Sequence, residues 1–189
     1  MAFSLTIAAR CKAMSNSLRI NTFKAILGES IVASIAATIS LLILDVPIWA
    51  TFLGWIAFFT RGITPRDGMI NLACVISGLI IGIATAQLAV VMTPYLGELT
   101  LPLVVLAATF VILSMRSLPI INNVLAFFLG LVCYFASSLP PQVASFIELS
   151  AALALGVLAA LLASLAAKHL GGNNSGSPSK ARTVESSME

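Results

Sequence analysis

The chain has 189 residues, 59% of them hydrophobic and only 9% charged, with a mean hydropathy of +1.06. Ordinary soluble domains carry about 25% charged residues, so the composition excludes a soluble enzyme and predicts an all-α integral membrane protein with no room for a separate soluble domain. The net charge of +3 comes from ten Lys and Arg residues spread along the chain, a scatter that suits anionic headgroups at helix ends and argues against nucleic acid as a partner.

Residues 1–24 form a basic leader with Arg10, Lys12, Arg19 and Lys24 and no acid before Glu29. These bases interrupt any signal-peptide apolar core, so the first helix is expected to stay in the mature protein. A cytoplasmic leader explains the composition, and so does an organelle transit peptide. The transmembrane domain follows over residues 25–167. Its first crossing covers 25–44, long enough at 1.5 Å per residue for a hydrocarbon core of about 30 Å. Asp45 and Pro47 turn the chain, and 46–60 forms a short segment begun by Pro47 at a position where its missing N–H costs nothing. That segment is too short for an upright span and is expected to be a thinned crossing or a broken helix.

Crossings three to six are predicted at 69–92, 99–115, 119–138 and 143–167, separated by the Arg61-to-Gly68 loop, Thr93-Pro94-Tyr95, Arg116 to Pro119 and Pro140-Pro141. Residues 168–189 are read as a disordered polar tail rich in Gly and Ser. With six crossings, all ten bases fall on one side: the leader, then Arg61 and Arg66, then Arg116, then Lys168, Lys180 and Arg182. Cytoplasmic loops are enriched in Lys and Arg, so both termini are expected in the cytoplasm of a bacterial inner membrane.

Two stretches repeat. Phe52, Leu53, Gly54 and Phe59 match Phe128, Leu129, Gly130 and Phe135, and each stretch opens on Pro-Ile, at Pro47 and Pro119. The span that follows each carries small residues at four-residue spacing: Cys74, Gly78, Gly82 and Ala86, then Ala152, Gly156, Ala160 and Ser164. Residues four apart share a helix face, so Gly78, Gly82, Gly156 and Ala160 are expected to pack neighbouring helices closely. Three crossings per half make the halves inverted, an arrangement recurrent in channels and transporters. Coincidence in so apolar a sequence is the competing explanation.

Candidate pathway residues are polar but uncharged. Ser30, Ser34 and Thr38 form a stripe on the first crossing, and Asn71, Asn122 and Asn123 bring amides to other spans. Such groups can replace a solute's hydration contacts, or they can simply bond back to their own helix and cap its ends. Glu29 and Glu148 are placed at the interface, and Trp49, Trp55, Tyr95 and Tyr134 in interfacial belts. Cys11, Cys74 and Cys133 have neither disulfide nor zinc spacing and are read as reduced packing residues. A single His169 excludes a paired-histidine metal site, and no phosphate loop, nucleophile elbow or cofactor motif is present.

The segment Pro-Ile-Trp-Ala-Thr-Phe-Leu-Gly-Trp-Ile-Ala-Phe-Phe, the Gly-containing loop after it and the span through Ser77-Gly78 resemble the family named domain of unknown function 1097, small bacterial inner-membrane proteins. The resemblance covers about residues 25–167. It implies membrane residence but no substrate, cofactor or site residue. The expected function is a small-solute channel or transporter, in the bilayer and as a homo-oligomer. The alternative is a non-transporting membrane scaffold or accessory subunit.

Overall fold

The computed structural model describes the backbone of residues 2–170 and the side chains of residues 22–169. Of the polar tail expected over residues 168–189, residues 168–170 continue the last helix, and the rest, with the side chains of Arg10, Cys11, Lys12 and Arg19, lies outside the described residues. Among the described residues the chain is entirely helical: α1 (Ala2–Leu42), α2 (Ile48–Phe58), α3 (Pro65–Leu96), α4 (Thr100–Ser114), α5 (Val124–Ser137) and α6 (Val143–Leu170), with 3-10 turns at Gly97–Leu99 and Met115–Ser117. Among the described residues, three stretches are long and apolar enough to cross a membrane: Thr22–Leu42, Pro65–Ser117 and Val143–His169.

The chain divides into two compact units, Met1–Ser30 with Leu165–Glu189, and Ile31–Ser164. The first contains the start of α1 and the last turns of α6. In it Phe23, Ile26 and Leu27 are exposed and Glu29 is half-buried, and Lys168 and His169 occupy the last turn of α6, where cations complement the helix dipole. Helix α1 begins well before residue 25, because no Pro or Gly interrupts the leader before Gly28.

The second unit holds the remaining elements. Helix α2 starts after Pro47, whose carbonyl accepts the amides of Ala50 (3.0 Å) and Thr51 (3.3 Å), and spans 11 residues, about 16 Å. Helix α3 begins earlier than residue 69. Thr64 caps it by accepting the Asp67 amide, with Pro65 at its first position, a combination that suits a helix start chemically and electrostatically. Its far end is closed by Gly97, whose φ of +53° lies in the region that glycine enters without steric penalty. There the chain turns back, so that Cys74 of α3 packs with Ala108 and Ile112 of α4.

Helix α5 departs most from the sequence reading. It was expected to start at Pro119 but begins at Val124 and spans 14 residues, about 21 Å. Leu118, held extended at ψ 140° before Pro119, ends the preceding turn as pre-proline sterics require. Asn123 then supplies the cap, accepting the Ala126 amide at 3.4 Å, and Ser138 in the left-handed region stops the helix. Thus two helices are short, where the sequence reading expected one.

Two close crossings organise the core. At α2–α6, a Cβ on Gly54 would lie 2.8 Å from the carbonyl carbon of Leu153, and one on Gly156 would lie 2.7 Å from the amide nitrogen of Trp55. At α3–α5, a Cβ on Gly78 would lie 2.8 Å from the carbonyl carbon of Phe127, and one on Gly130 would lie 2.6 Å from the amide nitrogen of Leu79. All four obstructions are backbone atoms, so only glycine fits. Around these crossings pack Ala50, Ala57, Val75, Leu79, Cys133, Tyr134, Leu149 and Leu153 in one cluster, and Phe58, Val157 and Ala160 in a second.

Candidate functional site

The polar residues of the second unit gather where the short helices end. A helix leaves its last carbonyls and first amides without intrahelical partners, and here polar side chains supply them. At the C-terminal end of α2, the Phe58 carbonyl accepts from Asn71 Nδ2 at 3.0 Å, and the Ala57 carbonyl accepts from the Thr60 hydroxyl at 2.7 Å. At the N-terminal end of α5, Asn123 Nδ2 donates both to Asn71 Oδ1 (2.8 Å) and to the Thr60 hydroxyl, while its Oδ1 caps the helix. One pair of amides therefore joins the exit of α2 to the entry of α5. Asn71 is fully buried and Asn123 half-buried.

Beside the amides, Arg61 ties two loops together. Its Nη1 donates to the Ile120 carbonyl (2.9 Å) and to Asn122 Oδ1 (2.6 Å), and its Nε lies 3.4 Å from Asp67 Oδ1. The Thr64 hydroxyl donates to Asp67 Oδ2 at 2.6 Å. The ion pair is partly exposed and contributes roughly 0–1 kcal/mol by itself. Its structural effect is to orient the guanidinium.

At the opposite end of α2, the Ser40 and Thr51 hydroxyls, both buried, share a hydrogen bond of 2.6 Å. Beyond the C-terminal end of α5, Tyr134 donates to the Leu139 carbonyl (3.1 Å) and Ser145 to the Pro140 carbonyl (2.7 Å). Tyr134 is thus a buried anchor and not a residue of an interfacial belt. Among the described residues no buried side-chain N or O atom lacks a partner.

The sequence candidates separate into two groups. Asn71, Asn122 and Asn123 come together in the cluster above. Ser30, Ser34 and Thr38 do not join it: all three are exposed, and the hydroxyls of Ser30 and Thr38 donate back to the carbonyls of Ile26 (2.8 Å) and Ser34 (2.9 Å). Four-residue spacing put them on one face, but it is the outward face. Gly78 and Gly156 sit in the two close crossings, Gly82 has looser surroundings with a would-be Cβ 3.0 Å from Tyr134 Cβ, and Ala160 is buried beside Phe58. Thr60 and Arg61 were not singled out by sequence reasoning, although a Thr-Arg-Gly sequence just after a short apolar helix is a fair sign of a polar helix end.

Among the clefts that open on the second unit are three between described residues. One of about 650 Å³ at the N-terminal end of α2 is lined by Asp45, Val46, Trp49 and Glu148 among others. Another, of about 340 Å³, is mostly apolar, between Ile80, Ile83, Gln87, Gln142 and Phe146. The third, of about 380 Å³, lies beyond the C-terminal end of α2 and is lined by Arg61, Thr64, Arg66, Asp67, Ile70 and Ile120. None of the three is lined by Ser30, Ser34, Thr38 or the three asparagines. Cys74 and Cys133 are buried free thiols, and no cluster of metal-ligating residues occurs among the described residues.

These features define the class: an all-helical protein whose apolar helices mark it for a membrane. Within that class, residues 26–168 match the model of the family described as protein of unknown function DUF1097, and the chain belongs to that family. No curated protein and no solved structure matches it significantly.

Proposed function

We propose that this is a multi-pass inner (plasma) membrane protein with both termini in the cytoplasm, built of six crossings in two inverted halves, and that it conducts or carries a small solute. It is proposed as non-enzymatic and without a resident cofactor. One observation carries the reading. Gly54 meets Leu153 and Gly156 meets Thr51 at α2–α6, while Gly130 meets Val75 and Gly78 meets Phe127 at α3–α5. Gly54 and Gly130 are the matched glycines of the two Phe-Leu-Gly stretches, so each half lends its short helix to the long helix of the other. Reciprocal packing of this kind is what a pseudo-two-fold axis produces, and short or interrupted helices at such an axis are where transport proteins place their paths. A bundle this small leaves little internal room, so the route is proposed to form with further copies of the chain.

The layout is tested by labelling single cysteines in a full-length chain lacking Cys11, Cys74 and Cys133. Ile63→Cys and Ser117→Cys should react only with reagent admitted to the cytoplasm, and Ser138→Cys with reagent outside. An outside-reactive Ile63→Cys would overturn the inverted halves. Transport is tested in proteoliposomes against small neutral solutes, organic acids and inorganic ions. Flux of one class above empty vesicles is expected, and silence from verified folded protein would refute it.

A scaffold or accessory subunit is the second reading, favoured by the engagement of Asn71 and Asn123 with each other and with the helix ends, which gives both amides a structural task. It predicts silent vesicles and a partner that co-purifies stoichiometrically.

A further inference from the structure

We infer that the cleft between the α2–α3 turn and the α4–α5 loop is a binding site for a phosphate group. Its wall carries two arginines and one carboxylate, Arg61, Arg66 and Asp67, which leaves one net positive charge. The two arginines are held differently. Arg61 is anchored from three directions by Asp67 Oδ1, Asn122 Oδ1 and the Ile120 carbonyl. Those contacts occupy Nε and Nη1, and its Nη2 donors meet no partner among the described residues. The guanidinium of Arg66 meets no hydrogen-bond or ion-pair partner among the described residues.

Asp67 offsets one of the two positive charges, but its oxygens are engaged by Arg61 and by the Thr64 hydroxyl, so it does not compete for Arg66. What the cleft offers is one immobilised guanidinium with a single nitrogen still open, Arg61, and one free fork, Arg66, which can grip a multi-oxygen anion by parallel N–H···O bonds. Arg66 also stands in the first turn of α3, whose dipole adds to the attraction for an anion.

The surroundings fit a phosphate better than a compact inorganic ion alone. Ile63, Met69, Leu118 and Ile120 are exposed large apolar side chains next to the cleft in sequence. An apolar skirt beside paired arginines suits a phosphate carried on a larger molecule, and both a lipid headgroup and a soluble phosphate ester present that chemistry. The site does not depend on transport, because binding is measured without any flux.

The test uses the full-length protein with two probes. Inorganic phosphate is titrated calorimetrically against protein in neutral detergent, and anionic lipid retention is read by native mass spectrometry after release from nanodiscs of phosphatidylglycerol or of phosphatidylcholine. Arg66 is exposed and unpaired, so Arg66→Gln should fold normally, and it should weaken binding at least about tenfold, as loss of a charged hydrogen-bonding group does. Arg66→Lys should recover part of it. Binding of inorganic phosphate without lipid preference identifies a soluble ligand, and retention of phosphatidylglycerol alone identifies a headgroup; either supports the site when it depends on Arg66. The proposal is overturned if neither probe binds, or if Arg116→Gln, an exposed base that does not line the cleft, weakens binding as much as Arg66→Gln.

Discussion

Replacing Gly156 by alanine should destabilise the protein by about 2 kcal/mol, the balance of a propensity gain and a larger packing cost. Alanine is a better helix former than glycine by about 1 kcal/mol in a helix interior. Against this, the added methyl would sit 2.7 Å from the Trp55 amide nitrogen and 2.9 Å from the Thr51 carbonyl carbon, with ordinary contact beginning near 3.4 Å. The Thr51 carbonyl oxygen lies closer still; no obstacle is a side chain that could rotate away, so α2 and α6 must part by more than the shortfall of about 0.7 Å at Trp55, enough to forfeit at least a quarter to a half of each dispersion contact across the seam. Overpacking of this kind typically costs about 1–3 kcal/mol, and the upper end applies where both walls are backbone. The net change corresponds to roughly a 30-fold drop in the folded-to-unfolded ratio.

The chain's two tryptophans, Trp49 and Trp55, are both on α2, so tryptophan emission during a sodium dodecyl sulfate titration follows the separation of α2 from α6. Gly130→Ala should cost as much, since its methyl would lie 2.6 Å from the Leu79 amide nitrogen, whereas Gly82→Ala, opposed mainly by the Tyr134 side chain, should cost far less. If Gly156→Ala or Gly130→Ala is neutral or stabilising, the close crossings are not as described and the packing argument fails.

Asn71→Ala should cost about 1–3 kcal/mol in the same titration, because it orphans the Phe58 carbonyl and one Asn123 hydrogen bond in a buried setting; a change below about 0.5 kcal/mol would show that water reaches these groups. Gly97→Ala should cost about 1 kcal/mol through backbone strain alone, since φ is +53° and nothing lies within 4 Å of the added carbon; Gly97→Asn should recover part of that loss, and equal loss in both variants would contradict the conformational explanation. Thr64→Ala should remove about 1 kcal/mol by uncapping α3, with Thr64→Ser close to wild type.

The helical class and the break at Pro47 were legible because Pro, Gly and charge punctuate the chain locally, whereas the end of α3, expected at Thr93-Pro94-Tyr95, falls instead at Gly97 because the helix runs through Pro94 to Leu96. Which face of each helix points inward was not. In water a polar stripe marks the solvent side, but lipid is as apolar as a protein core, so the spacing of Ser30, Ser34 and Thr38 could not say whether they faced in or out. The start of α5 was missed for a related reason. Pro47-Ile48 opens a helix, and the same dipeptide at Pro119-Ile120 was read the same way, yet there Asn122 and Asn123 follow and the amide of Asn123 makes a better cap than the proline makes a start. The pairing of Gly54 with Leu153 and of Gly130 with Val75 is long-range, and spacing along one strand of sequence carries no information on which partner a small residue meets.

The short helices and the amide cluster explain each other. In the proposed membrane arrangement, helices of 11 and 14 residues fall short of a hydrocarbon core of about 30 Å, in which an unsatisfied backbone group costs several kcal/mol. Asn71 supplies the donor that the end of α2 needs, Asn123 supplies the acceptor that the start of α5 needs, and the bond between them spares each a desolvated amide. These asparagines therefore serve architecture first. Under the proposed transport role, a solute at this end of α2 would either displace the Asn71–Asn123 bond, exposing the Phe58 carbonyl, or travel outside the pair along the Arg61 side, and the second route leaves the helix ends intact.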